Sequence, residues 1–231
     1  MKLSVIIPAL HEELTLAGAV DGLVGALSFW KVDYEVVLVL SALDSKTTKV
    51  ARELSNHYKC VKGVYRHPTD SFGDAIRTGI QHAAGDVIVF YMADGSDSPD
   101  YVYWYFCYLF PDSDMVFGTR FSWFRRPRGY PLGKWVLNRI GNLALEHLTG
   151  IECNDLTNGF KAYRREVLEA VQPLMADGFD ITLEITLKAV KKGYRYITIP
   201  VKWYPRKKGN SKFNILRESW GFIKTFLKTW R

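Results

Sequence analysis

Short runs of apolar residues that alternate with helical patterns constrain this chain more than any other feature of its sequence. Residues 3–7, 35–40 and 86–92 are such runs, and a further run lies near residues 60–65. Between the runs, apolar residues recur every three or four positions, as along residues 12–29, which predicts amphipathic helices. Strands without a polar face are buried on both faces. The pattern therefore predicts an α/β fold with a mostly parallel central sheet and helices on both faces.

The second half of the chain has less regular patterns. They predict a strand at residues 114–119, an extended segment at 194–203 and helices at 132–147, 166–171 and 181–190, with Lys161, Arg164 and Arg165 on a basic helix. The aromatic run at residues 101–110 is interpreted as a buried helix, with a lipid-facing surface as the alternative. No linker, repeat or low-complexity tract interrupts residues 1–212. We therefore expect one continuous domain.

The last segment, residues 213–231, predicts a C-terminal amphipathic helix. Its apolar stripe consists of Phe213, Leu216, Trp220, Ile223, Leu227 and Trp230, and its basic residues lie off that stripe. Such a helix suits the interface of a membrane with anionic headgroups, although packing against the domain itself stays open. No apolar run approaches the roughly 18 to 20 residues that span a bilayer. If a membrane is involved, we expect the protein to lie on its surface.

The charge balance is basic, with 31 Lys and Arg against 24 Asp and Glu. Five basic residues fall within residues 202–212, beside a Gly and a Ser, a composition that suits phosphate binding as well as a solvated loop. No nucleic-acid-binding motif is present, so we expect no nucleic-acid partner. The three cysteines are far apart and form no CxxC pair, which favours a reducing compartment.

Polar residues follow each predicted strand, where ligands bind in open α/β sheets. The most informative are Asp94 and Asp97, two carboxylates on one turn after residues 86–92. Such a pair can direct oxygens at one Mg²⁺ or Mn²⁺ ion, with phosphate oxygens completing its shell. The alternative is that Asp97 caps the following helix. The sequence has no P-loop, no GxGxxG and no GxSxG motif, so it gives no support to the sites that those motifs mark.

Five segments taken in order resemble the family-2 inverting glycosyltransferases of GT-A fold. They are SVIIPALHEE at 4–13, AGDVIVFYMADGSDSP at 84–99, FGTRF at 117–121, NDLTNGFKAYRREVL at 154–168 and EITLKAVKKGYRYITIPVKWYPRKKGNSK at 184–212. The last two are similar to the polyprenyl-phosphate sugar transferases, the branch that includes dolichyl-phosphate mannosyltransferase. The resemblance covers residues 2 to about 212.

The resemblance implies a GT-A (Rossmann-like) fold, with a nucleotide-sugar half at residues 1–97 and an acceptor half at 98–212. It also implies transfer of a sugar from a GDP- or UDP-linked donor to a polyprenyl (dolichyl or undecaprenyl) phosphate, with inversion and with Mg²⁺ or Mn²⁺. A lipid acceptor implies a protein that is peripheral on the cytoplasmic face of a membrane. Many relatives continue into transmembrane helices beyond this point, so a membrane-protein subunit is a further partner that the resemblance leaves open.

The resemblance also assigns site residues. Those that border the nucleotide sugar are Pro8, Ala9, Glu12 and Glu13, and those that meet its phosphates are Arg206 and Lys212. Asp94 matches the last carboxylate of the metal motif, and Asp97 is expected to supply the second metal ligand. Arg120, Lys134 and Asn138 match positions that bind the acceptor phosphate. Asp155 matches the acidic residue of the [SN]GF turn, and with Asp94 and Arg120 it is expected to be catalytic.

Two positions depart from the family pattern. The second strand ends in Ser41-Ala42-Leu43 in place of the adjacent aspartates that touch base and ribose, and Asp44 is the nearest substitute. The metal motif reads Met92-Ala93-Asp94, without its first carboxylate. Two alternative functions stay open. One is a family-2 transferase that acts on a soluble or polysaccharide hydroxyl, with Asp155 as base, and the other is a catalytically silent nucleotide-sugar-binding homologue.

Overall fold

A computed structural model describes residues 1–66, 71–110, 112–121, 126–206 and 215–230. Over these ranges the chain forms a seven-stranded sheet in the order β3-β2-β1-β4-β6-β5-β7. The strands are β1 Leu3–Ala9, β2 Tyr34–Ser41, β3 Val61–Arg66, β4 Val87–Phe90, β5 Met115–Thr119, β6 Lys161–Arg164 and β7 Tyr196–Pro200. The predicted mostly parallel central sheet is confirmed.

Strand β6 is the exception to the parallel arrangement, because it pairs antiparallel with both β4 and β5. The remaining ladders, β1 with β2 and β4, β2 with β3, and β5 with β7, are all parallel. The amino end of β6 therefore lies at the same sheet edge as the carboxyl ends of β4 and β5. This topology brings the turn at residues 154–159 next to the segments that follow β4 and β5.

Eight helices of the described ranges cover the sheet. They are α1 Leu16–Phe29, α2 Ser45–His57, α3 Phe72–His82, α4 Asp100–Tyr108, α5 Leu132–Thr149, α6 Arg165–Ala170, α7 Ile181–Lys191 and α8 Ile215–Trp230. One apolar core packs α1, α2 and α4 on one face of the sheet, and a second core packs α3, α6, α7 and α8 on the other. The predicted coverage of both faces is thereby confirmed.

The prediction that Lys161 and Arg164 lie on a basic helix is wrong, because both belong to strand β6 and the helix begins at Arg165. The side chain of Lys161 is fully buried. Its Nζ donates hydrogen bonds to the carbonyl oxygen of Leu156 at 2.7 Å and to Oγ1 of Thr186 at 2.8 Å. A run of charged residues normally indicates an exposed face, but here carbonyl and hydroxyl oxygens compensate the buried ammonium group.

Helix α4 contains the aromatic run, and Val102 and Tyr105 on it are buried whereas Trp104 and Tyr108 are exposed. Within the described part of the chain, no helix is both long and apolar enough to cross a membrane.

Helix α8 is a two-sided helix. Its inner face packs on α7 through the buried residues Phe222 and Thr225, and Thr225 Oγ1 donates a 2.6 Å hydrogen bond to Asp180. Trp220, Ile223 and Leu227 of the predicted stripe are exposed on the opposite face. Packing against the domain is therefore confirmed for α8, and its exposed apolar residues leave contact with a membrane as a prediction. Phe213 lies outside the described residues, as does the side chain of Leu216.

Candidate active site

One large cleft opens at the carboxyl edge of the sheet, with a volume of about 1880 Å³. Most of the predicted site residues line it, namely Pro8, Ala9, Glu12, Asp94, Asp97, Arg120, Lys134, Asn138 and Arg206. They come from the ends of β1, β4 and β5, from α5 and from the segment that follows β7. Residues that are nearly 200 positions apart in the chain thus share one surface, as expected for ligand binding beyond the ends of parallel strands.

A first cluster of charges joins Arg206 to the two carboxylates of Glu12 and Asp94. The guanidinium group donates to Glu12 at 3.0 Å and 2.8 Å and to Asp94 Oδ2 at 3.4 Å. Burial alone lowers the pKa of Arg206, but Glu12 and then Asp94 raise it overall. This cluster places a permanent cation beside two carboxylates at the mouth of the predicted donor site.

Asp97 lies deeper in the same turn as Asp94 and is only 4% exposed. The turn is fixed by its backbone, because Tyr91 Oη donates to the carbonyl oxygen of Asp97 and the backbone N–H of Tyr204 donates to that of Ser96, both at 2.8 Å. Burial, and then the Asp94 carboxylate, raise the pKa of Asp97 to about 7, while Arg120 opposes the shift. Two neighbouring carboxylates, one of them buried, make a site that favours an added cation.

The carboxylate oxygens of this turn are ligands that suit a hard divalent ion. Oxygen ligands from one or two carboxylates are what Mg²⁺ takes from proteins when phosphate oxygens and water complete its shell. Across the ranges that the structure describes, no group of three or more His, Cys, Asp or Glu side chains is placed to hold a metal. A cation at Asp94 and Asp97 would therefore take its other ligands from the bound molecule and from water.

A second cluster holds Arg120 against Asp155. Nε and Nη2 of Arg120 each donate to one Asp155 carboxylate oxygen at 2.8 Å, and the Arg120 backbone N–H donates to Oδ2 at 3.0 Å. Asp155 is fully buried, whereas the Arg120 side chain is 15% exposed and lines the cleft. Although burial lowers the pKa of Arg120, Asp155 raises it overall. The cation reaches the cleft, and its counter-ion stays behind it.

The first turns of α5 add Lys134 and Asn138 to the lining of the cleft that Arg120 also faces. One turn further along, Asn142 is buried and exchanges two hydrogen bonds with Thr157, at 2.9 Å and 3.0 Å. Arg139 donates to the carbonyl oxygen of Asn154 at 2.7 Å. Sequence reasoning missed Arg139 and Asn142. Their polar side chains at helical spacing on an otherwise apolar helix were the available signal.

Four predicted residues among those described do not line the cleft, namely Glu13, Ser41, Asp44 and the fully buried Asp155. Asp44 instead fixes the loop after β1, because Oδ2 accepts from the backbone N–H of His11 at 2.5 Å and Oδ1 accepts from that of Thr47 at 3.2 Å. Thr47 Oγ1 in turn accepts from the backbone N–H of Glu12 at 2.9 Å. Asp44 therefore acts on the cleft through the Glu12 loop. Lys212 lies outside the described residues.

Known proteins share this sequence pattern. The profile of Glycosyl transferase family 2 matches residues 4–172. The chain is 29% identical over 130 residues to polyprenol monophosphomannose synthase of Mycolicibacterium smegmatis, across 55% of this chain and 49% of that protein. It is 26% identical over 237 residues to glycosyltransferase AglD of Haloferax volcanii, across 100% of this chain and 37% of that protein. The chain thus spans about half or less of these curated relatives.

Solved structures share the fold. Glucosyl-3-phosphoglycerate synthase from Mycobacterium tuberculosis, crystallised with Mn²⁺, uridine diphosphate and phosphoglyceric acid, superimposes with a TM-score of 0.71 at 20% identity, over 99% of this chain and 78% of that one. A crystal structure described as a mycobacterial protein gives a TM-score of 0.73 at 20% identity, over 99% and 74%. At this level of identity the likeness establishes the GT-A fold and nothing finer.

We predict that Asp97→Asn stabilises the protein at neutral and higher pH in the absence of metal. Because the folded-state pKa of about 7 exceeds the ordinary 3.8, the folded state binds more protons between these values, and the free energy of unfolding falls as the pH rises through that window. Asn does not ionise, so at about pH 8 the variant should be more stable by roughly 1 to 3 kcal/mol.

Urea unfolding in the presence of EDTA, followed from about pH 3 to about pH 8, measures this difference. At about pH 3, where Asp97 is protonated in the folded state and mostly protonated in the unfolded state, the two proteins should differ little. Equal stabilities at the alkaline end would contradict the assignment of Asp97 as a buried carboxylate with a raised pKa.

Proposed function

The chain belongs to glycosyl transferase family 2, and on that basis we propose that it transfers a sugar from a nucleoside-diphosphate sugar to a polyprenyl phosphate. The observation that carries the proposal is Arg120, a cation that faces the cleft while its counter-ion Asp155 is fully buried behind it. Lys134 lines the same cleft. These cations suit an acceptor that is already an anion. The name of the polyprenol monophosphomannose synthase relative supports the same acceptor class.

An anionic acceptor does not require a general base. An oxygen of the acceptor phosphate forms a bond to the anomeric carbon as the bond from that carbon to the diphosphate oxygen breaks on the opposite face, so the configuration inverts. The task of the protein is to hold two anions in line and to offset their repulsion. Arg206 serves this purpose on the donor side, and Arg120 with Lys134 serves it on the acceptor side.

Asp94 and Asp97 are the residues that would hold a divalent cation. A bound Mg²⁺ or Mn²⁺ would neutralise charge that develops on the departing diphosphate. Crystals of glucosyl-3-phosphoglycerate synthase with Mn²⁺ or Mg²⁺ and uridine diphosphate support a divalent ion in a protein of this fold. In this chain Arg206 already contacts Asp94, so a side-chain cation and the metal would act on the same carboxylate.

A hydroxyl acceptor is the second function to consider, because phosphoglyceric acid is present in a crystal of the structural neighbour. A hydroxyl needs a base to remove its proton. Asp155 is the residue predicted for that role, but both of its oxygens accept hydrogen bonds from Arg120 and it is fully buried. This geometry favours the phosphate acceptor. A silent nucleotide-sugar-binding protein is distinguished by the absence of turnover.

Helix α5 supports a membrane location for the reaction, because its polarity is inverted. The face packed against the protein carries Arg139 and Asn142, which are 5% and 1% exposed. The outward face carries an apolar set that is 40% to 60% exposed, namely Leu132, Val136, Leu137, Ile140, Leu143 and Leu148. A helix of a water-facing protein has the opposite arrangement. We infer that this face contacts the acyl boundary of a bilayer.

Helix α8 extends the same apolar surface, since three of its exposed residues line the same cleft as three exposed residues of α5. They are Trp220, Ile223 and Leu227 of α8 and Leu137, Ile140 and Leu148 of α5. Lys224 and Lys228 are exposed on α8, and such lysines are attracted to anionic headgroups. The occupant that fits both features is the surface of a membrane that contains anionic lipid. A polyprenyl phosphate carried by that membrane would present its phosphate beside Lys134 and Arg120. On this proposal the protein is peripheral on the cytoplasmic face.

The direct test is nucleotide release from a panel of GDP- and UDP-sugars, with Mn²⁺ or Mg²⁺ and with or without a short polyprenyl phosphate. We predict release that requires both the metal and the lipid phosphate. Asp94→Asn should reduce it by roughly 100-fold or more, since it removes a carboxylate that would hold the charge-neutralising metal ion. Arg120→Ala should cause a similar loss, whereas Lys49→Ala, which removes an exposed lysine on α2, should have no effect.

Two other outcomes would contradict the proposed reaction. Release that depends on a hydroxyl acceptor and is indifferent to lipid phosphate would contradict the proposed acceptor. Donor binding without any release would identify the silent binding protein.

We also predict that Ile140→Glu and Ile223→Glu weaken sedimentation with vesicles that contain phosphatidylglycerol, each by about tenfold or more, because a buried apolar side chain contributes roughly 1.5 to 3 kcal/mol. Phe29→Glu is the matched control, since Phe29 is 76% exposed but lies on α1, which packs on the other face of the sheet. An equal loss of binding in the Phe29 variant would contradict the proposed membrane face.

A further inference from the structure

A row of three aromatic rings lies between the two charged clusters. Trp203 packs edge-on against Tyr130, with ring centroids 5.0 Å apart, and Tyr130 packs edge-on against Phe121 at 5.7 Å. Phe121 is fully buried, but Trp203 and Tyr130 are half-buried and line the cleft. Two large rings therefore face the cleft and are not fully buried in the core.

The ends of this row are fixed to the two clusters. Trp203 forms an isolated antiparallel bridge with Asp97, the buried carboxylate beside the first cluster. At the other end, the guanidinium carbon of Arg120 lies 6.0 Å from the centroid of the Tyr130 ring and 5.3 Å from that of Phe121. The row thus runs from the turn that carries Asp94 and Asp97 to the cation of the second cluster.

Gly129 keeps the Tyr130 segment close to the segment that carries Trp203. Its φ of +80° is in the left-handed region, and a Cβ atom at this position would lie 3.0 Å from Cγ of Pro205. A side chain would be strained by the backbone and crowded by the proline ring. The two segments therefore approach as closely as only glycine permits, which holds Tyr130 and Trp203 against each other before any ligand binds.

On the proposed function, the transferred sugar must lie between the departing diphosphate and the acceptor phosphate, and so between the two clusters. The wall at that place is aromatic. The C–H face of a pyranose ring is apolar and packs against an aromatic face, which also excludes water from the reacting carbon. We propose that Trp203, supported by Tyr130, is the binding surface for the sugar ring of the donor. This inference rests on the proposed function and adds to it a residue that selects for a pyranose.

The test compares each nucleotide with its sugar-linked form, so that the contribution of the sugar is isolated. Titration calorimetry in Mn²⁺ would measure the binding of GDP against GDP-mannose and of UDP against UDP-glucose. For the pair that the native protein binds, Trp203→Ala should weaken the affinity for the sugar nucleotide by about tenfold. The affinity for the nucleoside diphosphate should stay within about twofold of the native value. Trp203→Phe keeps a ring and should retain most of the affinity. Trp104→Ala, on the exposed face of α4, is the control and should change neither ligand.

The possible outcomes distinguish a failure of this inference from a failure of the proposed function. An equal loss of affinity for the nucleotide and its sugar-linked form in Trp203→Ala would mean that Trp203 supports the Asp97 turn and not the sugar, and the inference would be overturned while the proposed function stands. The inference is also overturned if Trp203→Ala binds the sugar nucleotide as tightly as the native protein. A native protein that binds none of the four ligands would overturn the proposed function and this inference together.

Discussion

The paired hydrogen bonds between Arg120 and Asp155 are the interaction on which the site depends. They join the end of β5 to the turn before β6, and they do so only because β6 runs antiparallel to its neighbours. Removing one partner of such a buried pair leaves an uncompensated charge, at a cost of about 3 to 5 kcal/mol. The pair therefore fixes a cation at the cleft wall. It also leaves Asp155 poorly placed to act as a base, because both of its oxygens accept hydrogen bonds from Arg120.

On the proposed function, the rest of the site serves to bring two anions together. Arg206 lies against Glu12 and Asp94 on one side, and Arg120 with Lys134 lies on the other. Helix α5 links this arrangement to its surroundings, because its polar face holds the turn at residues 154–158 through Arg139 and Asn142, while its apolar face is left exposed. One helix thus orders the residues that we propose bind the acceptor and provides the surface that we propose contacts a membrane.

Much of this architecture is predictable from sequence, and the failures have physical causes. The apolar runs predicted the correct strands in the first half, and most of the polar residues after them lie at one edge, as expected. Lys161 was misassigned because composition does not reveal that carbonyl and hydroxyl oxygens compensate a buried ammonium group. Trp203 and Tyr130 went unnoticed, because their meeting depends on the close approach of residues 129 and 205. Asp44 was predicted to border the nucleotide, but it accepts a hydrogen bond from the backbone N–H of His11. This contact between distant residues could not be predicted from the sequence.

The central claim is that the nucleophile is a phosphate oxygen held by Arg120, and the chemical structure of the product tests it most directly. After reaction of an α-linked sugar nucleotide with a short polyprenyl phosphate, phosphorus and proton NMR would define the new linkage. Our account predicts a phosphodiester between the anomeric carbon and the lipid phosphate, with the β configuration. A sugar attached to a hydroxyl oxygen, or a product that retains the α configuration, would contradict it.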